Sequence, residues 1–245
     1  MKKFSFNDYV STALILQLLV VLVSTTGIFS RVDNLIYDVG QKLYQAPPPQ
    51  DVIIVAIDEN SLSQIGRWPW SRKIHADLIT RLKAEGASAI GLDIIFSEAD
   101  SLRPADDAAL SDAIAKAGNV VLPVLLESTR INGQIVETLP LPDMASNAAD
   151  LGRVHAALDE DGIARSIYLY EGMGAAVWQH FSQAILNVAQ NQASKNNFTE
   201  SKNTGTQANE NNMFSLVRKD QRKINFLGPA GHFSTISYVP LSTCT

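Results

Sequence analysis

Cysteine, histidine and charge are all scarce in this chain of 245 residues. The single cysteine, Cys244, excludes an intrachain disulfide, and the four histidines lack the close spacing of zinc motifs. Charged residues make up only 18% of the chain, and a net charge of -5 without a basic stripe argues against a nucleic acid partner. Neither a phosphate-binding loop nor a nucleophile elbow is present. We therefore expect no cofactor, no bound metal and no catalytic residue.

Charge is absent altogether between Asp8 and Arg31, and most of this segment is apolar. About 20 apolar residues suffice for a helix to cross the hydrocarbon core of a membrane. A cleaved signal peptide would be shorter and would end in a small-residue cleavage site, which the exit sequence TGIFS does not resemble. We therefore predict a transmembrane helix over 10–30 that contacts membrane lipid. The two lysines near the start favour a cytoplasmic side for residues 1–9.

A second helical pattern follows directly and predicts a stalk helix over 31–46. Its apolar face carries Val32, Leu35, Ile36, Val39 and Leu43. Three consecutive prolines at 47–49 end the helix, because proline cannot donate the backbone hydrogen bond. The apolar face packs on the following domain, couples it to the membrane segment, or pairs with the same face of a second copy in a homodimer.

The remaining residues, 51–245, have the pattern of one α/β domain. Two apolar runs, IIVAID and AIGLDIIF, flank a helical segment that begins after Ser71 and stops before Gly86, which predicts a second strand beside the first. A further helix and a third strand complete a parallel βαβαβ core. Turn signals after 130 and near 160 then indicate antiparallel hairpins. We predict a mixed sheet of this kind preceded by the transmembrane and stalk helix, with a polar flexible loop over 190–212.

Candidate binding residues follow from the right-handed crossover, which brings the carboxyl ends of both strands to one edge of the sheet. Asp58 ends the first strand and is either a ligand contact or a structural group. Trp68 and Trp70 surround a proline and form either an apolar plug over the sheet edge or the stacking wall of a small-molecule pocket. Arg72 and His75 begin the crossover helix. These five residues are the predicted ligand-binding set.

A second aspartate, Asp93, lies within the second apolar run. Strict alternation along a strand predicts that its carboxylate is buried, and a buried carboxylate requires a partner. Arg72 or His75 would supply one, which makes Asp93 a structural brace. An alternative places Asp58, Asp93 and Glu98 together on a divalent metal in an anchored hydrolase.

Three groups of segments, taken in order, resemble the type-two CHASE domain. The first group contains VIIVAIDENSL, IGRWPWSRKIHADLITRLKAEGASAIGLDIIFSE and GNVVLP. The second is LGRVHAALDEDGIARSIYLY, and the third is KINFLGPAGHFSTISYV. The portion WPW-x-R-x-x-H-A is the most specific, and the resemblance covers most of the chain from about Asp33 to Val239.

The resemblance implies the extracytoplasmic sensory domain of a bacterial membrane receptor that detects a small-molecule or protein stimulus. In this family a membrane helix precedes the domain, and usually three more follow it. A cytoplasmic output such as a kinase or a cyclase then receives the conformational signal. It further implies a location in the bacterial inner membrane with the domain periplasmic or extracellular. This sequence departs from the family in the polar tract 190–212 and in its end, STCT, which suggest an insertion and a longer parent protein.

Overall fold

The computed structural model describes residues 6–25, 28–44, 46–128, 135–190 and 215–239. The contacts of the chain divide it into two units. The first comprises 1–54 with 225–235, and the second comprises 55–224 with 236–245. Nearly all of the predicted flexible loop over 190–212, and the turn after 130, lie outside the described residues.

Seven helices and ten strands are assigned within the described residues. The helices are α1 (Phe6–Thr25), α2 (Ile28–Leu43), α3 (Glu59–Ile65), α4 (Arg72–Ala84), α5 (Pro104–Ala117), α6 (Pro142–Asn147) and α7 (Phe181–Ala189). The strands are β1 (Ile53–Ala56), β2 (Ile90–Gly91), β3 (Val120–Ser128), β4 (Ile135–Thr138), β5 (Asp150–Arg153), β6 (Ala157–Leu158), β7 (Ala164–Met173), β8 (Trp178–Gln179), β9 (Leu216–Lys223) and β10 (Ser234–Ser237). This mixture confirms the predicted α/β class.

The first unit contains α1 and α2. In the part of the chain that the structure describes, no helix has both the length and the apolar character needed to traverse a bilayer. The transmembrane helix predicted over 10–30 is therefore not supported; of the helices described in this stretch, α1 ends at Thr25 and α2 begins at Ile28. The stalk prediction over 31–46 corresponds to α2, which begins three residues earlier and ends at Leu43. The apolar residues predicted for its face are exposed: Val32, Leu35, Ile36, Val39 and Leu43.

The sheets differ from the predicted order. β1 pairs with β10 in a two-stranded sheet, so the first strand does not lie beside the second as expected. The parallel sheet instead contains β2, β3 and β5, and β4 pairs antiparallel to the second half of β3. In the antiparallel sheet, β7 pairs with β6, β8 and β9. The predicted parallel core is therefore wrong in its first strand, because non-local pairing placed β1 elsewhere.

Local signals define the ends of two of the predicted helices, α4 and α5. Ser71 is the N-cap of α4, where its hydroxyl oxygen accepts from Lys73 N at 3.2 Å. Gly118 ends α5 in the left-handed conformation, with φ 65°. One face of the parallel sheet packs against α4 and α5. The residues of this core that are 0% exposed are Ile79, Leu110, Ile114, Val120 and Leu122.

The other face of the parallel sheet is covered by α7. The close approach depends on Gly152 of β5, because a Cβ added there would lie 2.5 Å from Phe181 Cα. Backbone atoms cannot move aside as a flexible side chain can, so any larger residue displaces the start of α7. The covering of this sheet face therefore requires glycine at position 152.

We predict that Gly152→Ala lowers the free energy of unfolding by about 1–3 kcal/mol, because it overpacks the contact between β5 and α7. The matched control is Gly40→Ala in α2, where an added Cβ meets nothing within 4 Å. The control is expected to be neutral or to stabilise by up to about 1 kcal/mol through helix propensity. Urea denaturation followed by circular dichroism measures both, and equal effects would contradict the packing argument.

Candidate functional site

Asp58 is held by hydroxyl and amide donors at the start of α3. Its Oδ1 accepts from Ser61 N at 2.8 Å, from Ser61 Oγ at 2.6 Å and from Ser237 Oγ at 2.8 Å. These hydrogen bonds, chiefly the one from the Ser61 hydroxyl, lower the pKa of Asp58 below its usual value. The carboxylate therefore acts both as the N-cap of α3 and as an acceptor for Ser237.

Ser61 connects this capping site to the segment that follows β10. Its side chain is fully buried, and its Oγ also accepts from Tyr238 N at 3.2 Å. Asn60 adds an exposed bond, in which Nδ2 donates to Ser237 Oγ at 3.1 Å. Residues 237 and 238 are thus held by three side chains from the N-cap and first turn of α3.

Aromatic rings surround His75 on the first turns of α4. Trp68 and Trp70, on either side of the cis proline bond, lie 5.6 Å and 6.4 Å from the imidazole centroid. Phe96 lies at 5.6 Å and Tyr238 at 5.8 Å. Trp70 is buried and donates its Nε1 to Gly66 O at 2.7 Å, whereas Trp68 is 37% exposed. We call Trp68, Trp70, His75, Phe96 and Tyr238 the aromatic cluster; solvent reaches it at Trp68.

His75 and Tyr238 form the polar centre of the aromatic cluster. His75 Nδ1 lies 2.8 Å from the Tyr238 hydroxyl, and no described residue is a partner of His75 Nε2. Burial, with a smaller contribution from nearby Arg72, lowers the pKa of His75 to about 4. Burial likewise raises the pKa of Tyr238. Both side chains are therefore uncharged near neutral pH.

Arg72 lies at the border of the aromatic cluster. Its guanidinium carbon is 5.3 Å from the Phe96 ring centroid, a cation–π distance. Its Nε pairs with Asp107 Oδ1 at 3.0 Å, and its Nη2 donates to Glu98 O at 3.0 Å. This guanidinium thus links the first turn of α4 to the loop before α5 and to the helix itself.

The structure brings Trp68, Trp70 and His75 together, places Arg72 beside them on Phe96, and joins Asp58 to them through Ser61 and residues 237–238. Sequence reasoning missed four residues of this site, which are Ser61, Phe96, Ser237 and Tyr238. The family resemblance includes Ser237 and Tyr238 in the segment STISYV, but no local pattern predicts that Ser237 contacts Asp58 or that Tyr238 contacts His75. Only the long-range fold supplies that pairing.

The burial predicted for Asp93 is wrong. β2 ends at Gly91, so Asp93 lies beyond the strand and is exposed. The alternation argument failed because the chain leaves the sheet, and Ile94 N donates to Leu92 O at 2.8 Å instead of to β3. The two proposed partners are engaged elsewhere, Arg72 with Asp107 and His75 with Tyr238.

The alternative metal site is not formed. Within the described ranges, no group of three or more His, Cys, Asp or Glu side chains could hold a metal ion. Asp58 caps α3, and Glu98 is exposed and contributes only its carbonyl to Arg72. An anchored hydrolase based on Asp58, Asp93 and Glu98 is therefore not supported.

A comparison with known protein families gives one match. The profile of the CHASE2 domain matches residues 14–243, which is nearly the whole chain and includes every residue of the site. No curated protein and no solved structure matches the chain.

We predict an acid-dependent loss of stability from His75. Its pKa is about 4 in the folded protein against an ordinary 6.5, so between these values the unfolded chain binds a proton that the folded protein does not. The contribution of neutral His75 to the free energy of unfolding is complete above pH 6.5. It is lost as the pH falls towards 4, and the total loss is about 3 kcal/mol. Unfolding free energies across this range should show the loss in the parent and in Thr80→Ala, and a smaller loss in His75→Gln. Identical pH profiles for all three would refute it.

Proposed function

The chain belongs to the CHASE2 domain family, and from this membership we propose that it is the stimulus-sensing domain of a bacterial membrane receptor. CHASE2 domains are extracellular sensory domains of signalling receptors and are not catalytic domains. In this proposal the domain lies outside the cytoplasm, on the inner membrane. A conformational signal passes to a kinase or cyclase in residues outside this sequence.

One observation carries the proposal, namely the attachment of residues 237–238 to the most specific segment of the family resemblance. His75 of WPW-x-R-x-x-H-A contacts the Tyr238 hydroxyl, and Trp70 contacts its ring at 5.0 Å between centroids. Asp58 and Ser61 hold the same segment from the other side. In receptors of this family the chain beyond the sensory domain continues into the membrane, so these contacts lie on the path a signal must take.

The stimulus needs only to prefer one of two arrangements of this segment. A ligand that binds both arrangements equally shifts nothing, whereas one that binds better when residues 237–238 are attached stabilises that state. Trp68 is the most accessible ring of the aromatic cluster and offers a stacking surface for a small molecule or for a side chain of a protein. The aromatic cluster is therefore the proposed point at which a stimulus acts.

We further propose that membrane lipid and a second copy of the chain are partners of the N-terminal region. The exposed apolar residues of α2 recur at alternating steps of four and three, as in a coiled-coil seam: Val32, Ile36, Val39 and Leu43.

Polar substitution of Ile36 and Leu43 should then shift the sedimentation of the detergent-solubilised chain from dimer to monomer. The control is Asp33→Asn with Lys42→Gln, off the seam on the same helix, and it should remain dimeric. A parent chain that is already monomeric would defeat this pairing.

Substitution of two serines in α3 tests the sensory proposal. Ser61→Ala removes the buried hydroxyl that joins Asp58 to Ser237 and Tyr238, and it should lower the unfolding free energy by about 1–3 kcal/mol. In the full receptor it should change the output or its response to the stimulus at unchanged protein level. Ser63→Ala, on the same helix but exposed, should leave both unchanged.

A milder variant, Ser237→Ala, removes the bond to Asp58, the exposed bond from Asn60 and the contact with Ser61, but it leaves the buried Ser61 hydroxyl in place and so tests the attachment in a chain that is more certain to fold. If Ser61→Ala and Ser237→Ala both folded and signalled like the parent, the attachment of residues 237–238 would have no part in signalling.

A further inference from the structure

A buried group of charges lies at the antiparallel sheet, outside the aromatic cluster. Glu171 of β7 is 1% exposed and binds two guanidinium groups. Its Oε2 is 2.7 Å from Arg153 Nη1, and its Oε1 accepts from Arg218 Nε at 2.7 Å. We call Arg153, Glu171 and Arg218 the arginine pair site. Two positive charges on one carboxylate leave a net charge of one positive unit.

Arg153 retains donor capacity inside the protein. This residue is 2% exposed, yet its Nε has no hydrogen-bond partner within the described residues. A guanidinium presents five N–H donors, and a buried donor without an acceptor costs about the desolvation of the group. The edge of a guanidinium that carries Nε and one Nη can bind a carboxylate with two parallel bonds. Arg153 Nε is therefore a buried donor that no described protein atom satisfies.

The groups around the arginine pair site favour an anion as that acceptor. Arg218 lies 4.9 Å from the Tyr168 ring centroid and donates to His155 Nε2 at 3.5 Å. Burial, followed by the charge of Arg153, lowers the pKa of His155, and burial lowers that of His180. Both imidazoles are then neutral. Glu137 is the other acid near Arg153, and its Oε1 already accepts from Met173 N at 3.1 Å.

The location fits ligand binding as well. Arg153 is the last residue of β5, whose parallel neighbour is β3. Open sheets place ligands beyond the carboxyl ends of their parallel strands. Arg218 comes from β9 of the antiparallel sheet and is about one-third exposed, so the site is reachable from solvent on that side.

We propose that the arginine pair site binds the carboxylate of a small organic acid, with Arg153 Nε and the free N–H groups of Arg218 as its donors. The ligand carboxylate would accept from Arg153 Nε directly, whereas Glu137 acts on Arg153 only through its charge. The proposal adds a ligand class to the proposed sensory function, in which such an acid would be a stimulus. Binding itself is measured on the purified chain and does not depend on any output.

The experiment measures thermal stability and calorimetric binding of the purified chain with acetate, succinate and inorganic phosphate, against sodium chloride at equal ionic strength. We expect acetate or succinate to raise the melting temperature beyond chloride and to give a saturable heat. Arg218→Gln should weaken this binding at least tenfold. Arg222→Gln is the matched control, because it removes the same charge from an exposed position of β9 and should bind like the parent.

Three results would overturn the proposal. If phosphate stabilised the chain and neither acetate nor succinate did, the proposed ligand class would be wrong. Equal weakening by Arg218→Gln and Arg222→Gln would reduce the effect to general charge. If a folded parent chain responded to none of the anions, the site would bind no anion and a buried water would be the acceptor for Arg153 Nε. A receptor whose output ignores acetate while the purified chain binds it would instead count against the sensory function and leave the site standing.

Discussion

A buried imidazole and a buried phenol hydroxyl cannot form hydrogen bonds with water, so they must form one with each other. This requirement organises the aromatic cluster. His75 is fully buried, so its charged form is disfavoured and its Nδ1 needs a hydrogen-bond partner. The Tyr238 hydroxyl provides it from 163 residues further along the chain. Trp68, Trp70 and Phe96 then exclude water from the pair. The most specific segment of the family thereby fixes the position of a distant part of the chain.

The second unit buries polar groups in two physically different ways. At the aromatic cluster the polar pair is neutral, so desolvation is modest and the rings contribute most of the contact area. At the arginine pair site the charges of Arg153 and Glu171 are buried, and removing either of these two partners would be far more destabilising. Separating a neutral buried pair costs less free energy than breaking a buried ion pair. The former suits a movable contact and the latter a fixed binding site.

Local patterns in the sequence predicted much of the second unit. Ser71 and Gly118 define helix ends because capping chemistry involves neighbours in sequence. The gathering of Trp68, Trp70 and His75 followed from their closeness along the chain. The partner of β1 did not follow, since any strand can accept its hydrogen bonds and the choice of β10 depends on the whole fold. The prediction that Asp93 is buried failed for a related reason, because the alternation of side chains along a strand does not show where the strand ends.

A single oxygen atom, Oδ1 of Asp58, both caps α3 and binds the last residue of β10. Asp58 Oδ1 accepts both the capping bonds of Ser61 and the bond from Ser237. Tension applied to the chain beyond Tyr238 would therefore be resisted by the first turn of α3. The seven-residue helix α3 therefore anchors the end of β10, and unwinding its first turn would release Ser237 and Tyr238 together.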